Sequence, residues 1–220
     1  KKKSPEFERE YNLKFAGGVG NFFDLDSIDA CVVDDYDPTI PVREAITVMA
    51  NDTGYSDGSK FARVICSWFN NAIYVMVAEQ HDKPLMTDML QRDLDKRMEY
   101  YVDKTVIDGS DPAYIYALKE KLGEWPIDYH TVPKDNYNSM LVEPVPFTKQ
   151  QYEFLVHDKE VIESGGLKIH KSFDNLIIGL KSPYMNGTTF DKKRSANNDL
   201  VDALSMILQK FKAKTINVTG

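Results

Sequence analysis

Residues 45–80, AITVMANDTGYSDGSKFARVICSWFNNAIYVMVAEQ, contain three apolar segments that are separated by two turns. The first segment ends at Asp52, before a glycine-containing turn, and the Asn70-Asn71 pair separates the second from the third. Short apolar runs that are rich in β-branched residues and bounded by Gly, Asn and Asp are typical of strands. The stretch therefore predicts an antiparallel three-strand meander as the centre of a sheet.

Helical and extended segments follow this meander along the chain. The spacing of apolar residues predicts helices over 84–100, 111–122, 148–164, 173–182 and 195–213, and strands over 104–108, 127–132 and 166–171. Asp111 is the expected N-cap of the second helix, with Pro112 at its first position. The predicted fold class is α/β: a mixed sheet in which the antiparallel meander is joined by parallel strands and flanked by helices.

The first 40 residues have a different character from the rest of the chain. A short helix is predicted over residues 6–15, EFEREYNLKF. The aspartate-rich stretch 24–38 is interpreted as a linker and surface loop. We therefore expect a lead-in over residues 1–40 and a single domain over residues 41–220.

Composition and charge exclude some classes of protein. The 220 residues are 42% hydrophobic and carry a formal charge of −7. A protein that coats DNA is usually basic, so the charge argues against that role. No apolar run approaches the roughly 20 residues that a membrane span needs, so we expect no membrane association. Two cysteines without metal or disulfide spacing favour a reducing, intracellular location.

Four aspartates lie where a sheet edge could bring them together. Asp52 and Asp108 end predicted strands, and Asp199 and Asp202 lie in the first turns of the closing helix. Carboxylate oxygens are the ligands that Mg²⁺ and Mn²⁺ prefer, and two such ions can promote cleavage of a phosphodiester. Each residue also has an ordinary structural explanation, as a turn residue or as a charge that complements a helix dipole. We predict metal binding by all four residues and catalysis by Asp52, Asp108 and Asp199.

A helical wheel places the two aspartates of the closing helix at different distances from its apolar stripe. At about 100° per residue, Asp199 lies at the edge of the apolar stripe, and Asp202 lies about 60° further from it. This predicts that Asp199 is a direct metal ligand, and that Asp202 is more exposed and assists it.

Basic residues near the predicted site could hold DNA. Lys192, Lys193 and Arg194 precede Asp199 closely, and Lys168 and Lys171 could extend the same patch. Such residues bind backbone phosphates, although a basic cluster of this kind is equally explained as a solvated loop.

Four motifs of this sequence resemble motifs of viral terminase large subunits and follow the same order along the chain, three of them in the nuclease domain of that family. AITVMANDTGYSDGSKFARVICSW resembles its first acidic motif, TVIDGSDPAY its second and NNDLVDALSMIL its third. EFEREYNLKFAG resembles the segment that leaves the ATPase domain of that family. The sequence departs from the pattern at Asn198, where the family often has an aspartate, and a GxxxxGK[ST] phosphate loop is absent from it.

The resemblance implies an RNase H-like fold and a two-metal endonuclease that cuts double-stranded DNA during viral genome packaging. It further implies that the chain is a carboxy-terminal fragment or a stand-alone relative. The expected partners are an ATPase domain, the portal and a small terminase subunit, in the host cytoplasm and transiently at the procapsid. Two alternatives remain open: a RuvC-type junction resolvase and a non-catalytic RNase H-like docking domain.

Overall fold

The computed structural model describes residues 20–54, 60–124, 141–186, 189–190 and 195–211. The strands within these ranges are β1 (Gly20–Asn21), β2 (Val32–Val33), β3 (Ile46–Asp52), β4 (Phe61–Phe69), β5 (Ala72–His81), β6 (Lys104–Asp108), β7 (Val142–Val145), β8 (Leu167–His170), β9 (Tyr184–Asn186) and β10 (Thr189–Phe190). The helices are α1 (Leu25–Cys31), α2 (Met86–Glu99), α3 (Pro112–Lys121), α4 (Phe147–Glu163), α5 (Asp174–Lys181) and α6 (Asn198–Leu208), and a 3-10 turn (Gln209–Phe211) follows α6.

Seven of these strands form one mixed sheet in the order β2-β8-β5-β4-β3-β6-β7. β4 runs antiparallel to both β3 and β5, and all other neighbours are parallel. Asn70 and Asn71 join β4 to β5 with positive φ angles of 48° and 60°, as a tight hairpin turn requires. The predicted meander and the predicted mixed sheet are both confirmed.

The two faces of the sheet are covered by different helices. Val48 and Ala50 of β3 pack in a core with α6, α4, α5 and α1. Ile107 packs on the opposite face with α2 and α3. Side chains alternate between the two faces along a strand. Even-numbered residues of β3 and β6 therefore face α6, and odd-numbered residues face the side of α2 and α3.

Residues 22–33 belong to this core. Ile28 and Cys31 of α1 are fully buried, Phe22 and Phe23 are nearly so, and β2 pairs with β8. The interpretation of 24–38 as linker and surface loop is therefore wrong for residues 24–33, because their apolar side chains fill space between α4 and α5. The proposed helix over 6–15 lies outside the described residues, and the division at residue 40 stays a prediction.

One helix boundary and one strand also differ from the sequence-based expectation. α2 begins at Met86, so Pro84 precedes the helix rather than lying in its first turn. β7 (Val142–Val145) was not predicted, because Pro144 interrupts its apolar pattern; the strand is at the sheet edge, where proline is tolerated. The strand expected over 127–132 lies outside the described residues. No helix in the described part of the chain is long and apolar enough to cross a membrane.

Candidate active site

Asp52 and Asp108 end neighbouring parallel strands at the same edge of the sheet. The register pairs Asn51 with Ile107, so the next positions along the two strands are the two aspartates. Neighbouring strands lie about 4.8 Å apart. The sheet therefore places two carboxylates from distant parts of the sequence side by side.

Both aspartates lie on the face of the sheet that α6 covers. Ala50 and Val106, two residues before each aspartate, are buried in the core that includes α6. Because every second residue of a strand points to the same face, Asp52 and Asp108 continue those rows. Both aspartates are partly exposed, so solvent reaches the sheet at the ends of β3 and β6.

Asp199 approaches this edge from α6. Its Oδ2 atom accepts a hydrogen bond from the backbone N–H of Lys60, at 3.0 Å. Lys60 lies two residues before Ala62, and Ala62 pairs with Asp52. The bond therefore attaches the first turn of α6 to the start of β4, beside the end of β3 that carries Asp52. The sequence contains no signal for this contact, because it joins residues 139 positions apart.

A close backbone approach shapes the turn after Asp52. Gly54 has a φ of 58°, and a Cβ atom at this position would lie 2.4 Å from the carbonyl oxygen of Lys60. Any larger residue would push Lys60 away, and with it the amide that Asp199 accepts from. Gly54 is thus required for the geometry of the site as well as for the turn.

Asp52 and Asp108 each accept a hydrogen bond from a residue two positions further along the chain. Gly54 N donates to Asp52 Oδ1 at 3.1 Å, and Ser110 Oγ donates to Asp108 Oδ2 at 2.8 Å. Within the described residues, no three acidic, histidine or cysteine side chains are gathered closely enough to hold a metal ion. The chemistry of the donor set, three carboxylates at one sheet edge, nevertheless fits a hard divalent cation.

Asp202 lies elsewhere than predicted. It is 1% exposed, whereas Asp199 is partly exposed, so the expectation that Asp202 is the more exposed of the two is wrong. Gln151 Nε2 of α4 donates to Asp202 Oδ1 at 3.0 Å. The wheel considered only the side of α6 that faces the sheet, but α4 covers a second side of that helix.

A buried acid that no sequence motif singles out lies beside Asp202. Asp158 of α4 is 2% exposed, and its Oδ2 atom accepts a hydrogen bond from Ser205 Oγ of α6. Its Oδ1 atom has no hydrogen-bond partner among the residues that the structure describes. Burial, and to a lesser extent the charge of Asp202, raise the pKa of Asp158 well above its usual range. The neutral form of this carboxyl is therefore favoured between the two helices.

Replacing Asp158 by Asn is expected to stabilise the protein at neutral and alkaline pH. A carboxyl whose pKa is raised by folding costs no stability below its unfolded pKa, and costs progressively more as the pH rises to its folded pKa. Asn cannot ionise, so D158N avoids this loss while keeping an oxygen for Ser205. We expect a gain of about 1 to 3 kcal/mol at pH 8 and little gain at pH 4, measured by urea unfolding. A gain independent of pH would contradict the assignment.

The proposed basic patch is not assembled as predicted. Lys168 pairs with Tyr74 of β5, whereas the residue of β5 level with Asp52 is Gln80, which pairs with Ala62. Six residues of strand correspond to about 20 Å. Lys171 forms an ion pair with Asp34 at 2.8 Å. The structure thus does not bring Lys168 and Lys171 to the acidic edge, and Lys192, Lys193 and Arg194 lie outside the described residues.

The fold and the acidic edge together define a class of protein. A mixed sheet with an antiparallel meander, a parallel neighbour and helices on both faces is the RNase H-like architecture that the sequence motifs implied. Its acids lie at the ends of β3 and β6 and at the start of α6.

Within this class, the chain has the fold of large terminase nuclease domains. The large terminase of the thermophilic bacteriophage D6E superimposes with a TM-score of 0.66 at 13% identity, over 95% of this chain and 52% of the terminase. The large terminase nuclease of thermophilic phage G20c gives 0.62 at 12% identity, over 84% and 97%. The P22 large terminase nuclease domain gives 0.56 at 13%, over 88% and 95%. The resemblance seen in the sequence is confirmed by these structures at the level of the fold.

The similarity covers only part of the longer terminase and does not extend to any known sequence family. The chain spans about half the length of the D6E terminase. No protein-family model and no curated protein sequence matches it.

Proposed function

We propose that this chain is a divalent-metal-dependent endonuclease that cuts double-stranded DNA during viral genome packaging. The observation that carries the proposal is the position of Asp52 and Asp108 at the ends of neighbouring parallel strands, together with the hydrogen bond from Lys60 N to Asp199 at the start of β4, the strand next to β3. These three residues would hold Mg²⁺ or Mn²⁺. A pair of such ions would supply an activated water and stabilise the leaving oxygen. Asp202, buried under α4, would support the start of α6.

The named structural neighbours support this proposal. The G20c and P22 neighbours are large terminase nuclease domains, and the G20c domain has been solved with magnesium and with cobalt bound. Those are properties of the neighbours. In this chain the same chemistry rests on its own aspartates, and Asn198, the first residue of α6, is the position where an acid is missing.

DNA binding would depend on local charge. The chain carries a net charge of −7, so a bound metal and a small basic patch would have to offset repulsion from the phosphates. Lys192, Lys193 and Arg194 precede α6 and are the residues we propose for this contact. An ATPase domain, the portal and a small terminase subunit are the proposed partners, as the resemblance of the sequence motifs to terminase large subunits implies.

The proposal is tested by cleavage of a supercoiled plasmid with Mg²⁺, with Mn²⁺ and with excess EDTA. We expect nicked and linear products only when a metal is present, because three carboxylates alone lack the positive charge to stabilise the phosphoryl transition state. A four-way junction and a linear duplex of equal length serve as parallel substrates. Preference for the junction would favour a resolvase. A folded protein that cuts neither substrate with any metal would favour the non-catalytic docking domain.

A further inference from the structure

A pocket of about 310 Å³ opens at the far end of the sheet from the aspartates. Its floor is formed by side chains of β4 and β5, including Phe69, Tyr74 and Met76, and its wall by the segment 35–42. Met76 packs in the core on the face opposite α6. The pocket is thus separated from the proposed active site by both the length and the thickness of the sheet. Its volume is at the lower end of the range of ligand sites in proteins.

Two hydrogen bonds hold the wall of this pocket in place. The hydroxyl of Tyr36 donates to the carbonyl oxygen of Val75 at 2.7 Å and accepts from the backbone N–H of His170 at 2.8 Å. The Tyr36 ring packs edge-on against Tyr74, with 5.2 Å between ring centroids. The aromatic lining is therefore formed before any ligand arrives, which lowers the entropic cost of binding.

The rim of the pocket carries two acids. Asp37 Oδ1 accepts from Thr39 N at 2.9 Å and from Thr39 Oγ1 at 2.7 Å. These bonds lower the pKa of Asp37, so it stays charged at neutral pH. Asp35 is exposed. Among the described residues that line the pocket none is basic, and Lys171 forms an ion pair with Asp34. Burial raises the pKa of Tyr36, so its hydroxyl adds no charge.

We propose that this pocket binds an alkylammonium group with its aliphatic stem, as in a lysine side chain or a free diamine. The stem would lie against Phe69, Tyr74 and Met76, and the ammonium would meet Asp35 and Asp37. Aromatic rings and carboxylates both attract a cation and repel an anion. The proposal is independent of the nuclease activity, because it uses none of the three aspartates of the acidic edge.

The test is a titration of the ¹⁵N-labelled protein followed by NMR. One series uses pentane-1,5-diamine and another uses acetyl-Gly-Lys-Gly-amide, so that a free amine and a peptide side chain are compared. We expect shifts confined to residues 35–42 and 67–76. Pentan-1-ol and the norleucine peptide, which have the stems without the charge, are expected to bind at least about tenfold more weakly. Binding of either amine alone identifies the source and supports the proposal.

The matched variants remove two charges each. D35N/D37N is expected to weaken amine binding by about tenfold or more. D88N/D95N removes two exposed acids from α2 and should leave binding unchanged. Neutral analogues that bind as tightly as the amines would overturn the proposal. Equal loss in both double variants, or shifts that lie elsewhere on the protein, would do the same.

Discussion

D52N and D108N are each expected to lower the rate of metal-dependent DNA cleavage by roughly a thousandfold or more. Each variant keeps the size of the side chain and its ability to accept a hydrogen bond in its own turn, but removes a negative charge from the shared edge of the sheet. Both aspartates are partly exposed, so the folded protein should tolerate the change. The measurement is single-turnover plasmid cleavage, with circular dichroism to verify folding and Mn²⁺ titration calorimetry to follow metal binding.

Two residues of α6 sharpen this prediction. D199N should be as inactive as D52N, although its amide oxygen can still accept the hydrogen bond from Lys60; a loss of cleavage then reports the missing charge. D202N should retain most of its activity, because Asp202 is buried against Gln151. An inactive D202N beside an active D199N would reverse the assignment.

The control is a neighbouring acid outside the proposed site. Asp82 follows β5 at the same end of the sheet, and its side chain is 81% exposed and lies 3.3 Å from the Lys60 ammonium. D82N should cleave like the wild-type protein. If D82N and D52N lose activity equally, the acids at this edge act through their general charge rather than as ligands.

Replacing Asp93 by Ala is expected to lower the free energy of unfolding by about 3 to 5 kcal/mol. Asp93 is fully buried and accepts hydrogen bonds from Asn51 Nδ2 at 2.7 Å, from Arg63 Nε at 2.8 Å and from the Tyr114 hydroxyl at 2.8 Å. A second nitrogen of Arg63 also contacts Asp93. D93A leaves the guanidinium of the fully buried Arg63 with Glu79 as its remaining acidic partner. Urea unfolding measures the loss.

Two further variants isolate the cause. The double variant R63M/D93A should recover part of the lost stability, since it removes the unpaired buried charge together with its partner. D95A changes an exposed acid two residues along the same helix and should cost less than about 0.5 kcal/mol. If D93A costs no more than D95A, the cluster does not hold α2 and α3 on the sheet.

Local patterns were sufficient to predict most elements of this protein. The hairpin turn at Asn70-Asn71, the cap at Asp111 and the closing helix follow from turn chemistry, capping and apolar spacing, which act over a few residues. The positions of Asp52 and Asp108 at strand ends could be read in the same way. Their meeting at one edge follows from a general rule for parallel strands, so the two-strand part of the candidate site was predictable.

Contacts between distant segments were not predictable in this way. Asp202 is buried because α4 packs across α6. The amide of Lys60 donates to Asp199 where Gly54 allows its backbone to approach the Lys60 carbonyl closely. Residues 24–33 were interpreted as a linker for the same reason. They contain few apolar side chains, and the burial of Ile28 and Cys31 depends on α4 and α5, which are distant in sequence. A periodic pattern specifies which side of an element is apolar, whereas burial of a polar side depends on what packs there. That depends on the whole chain.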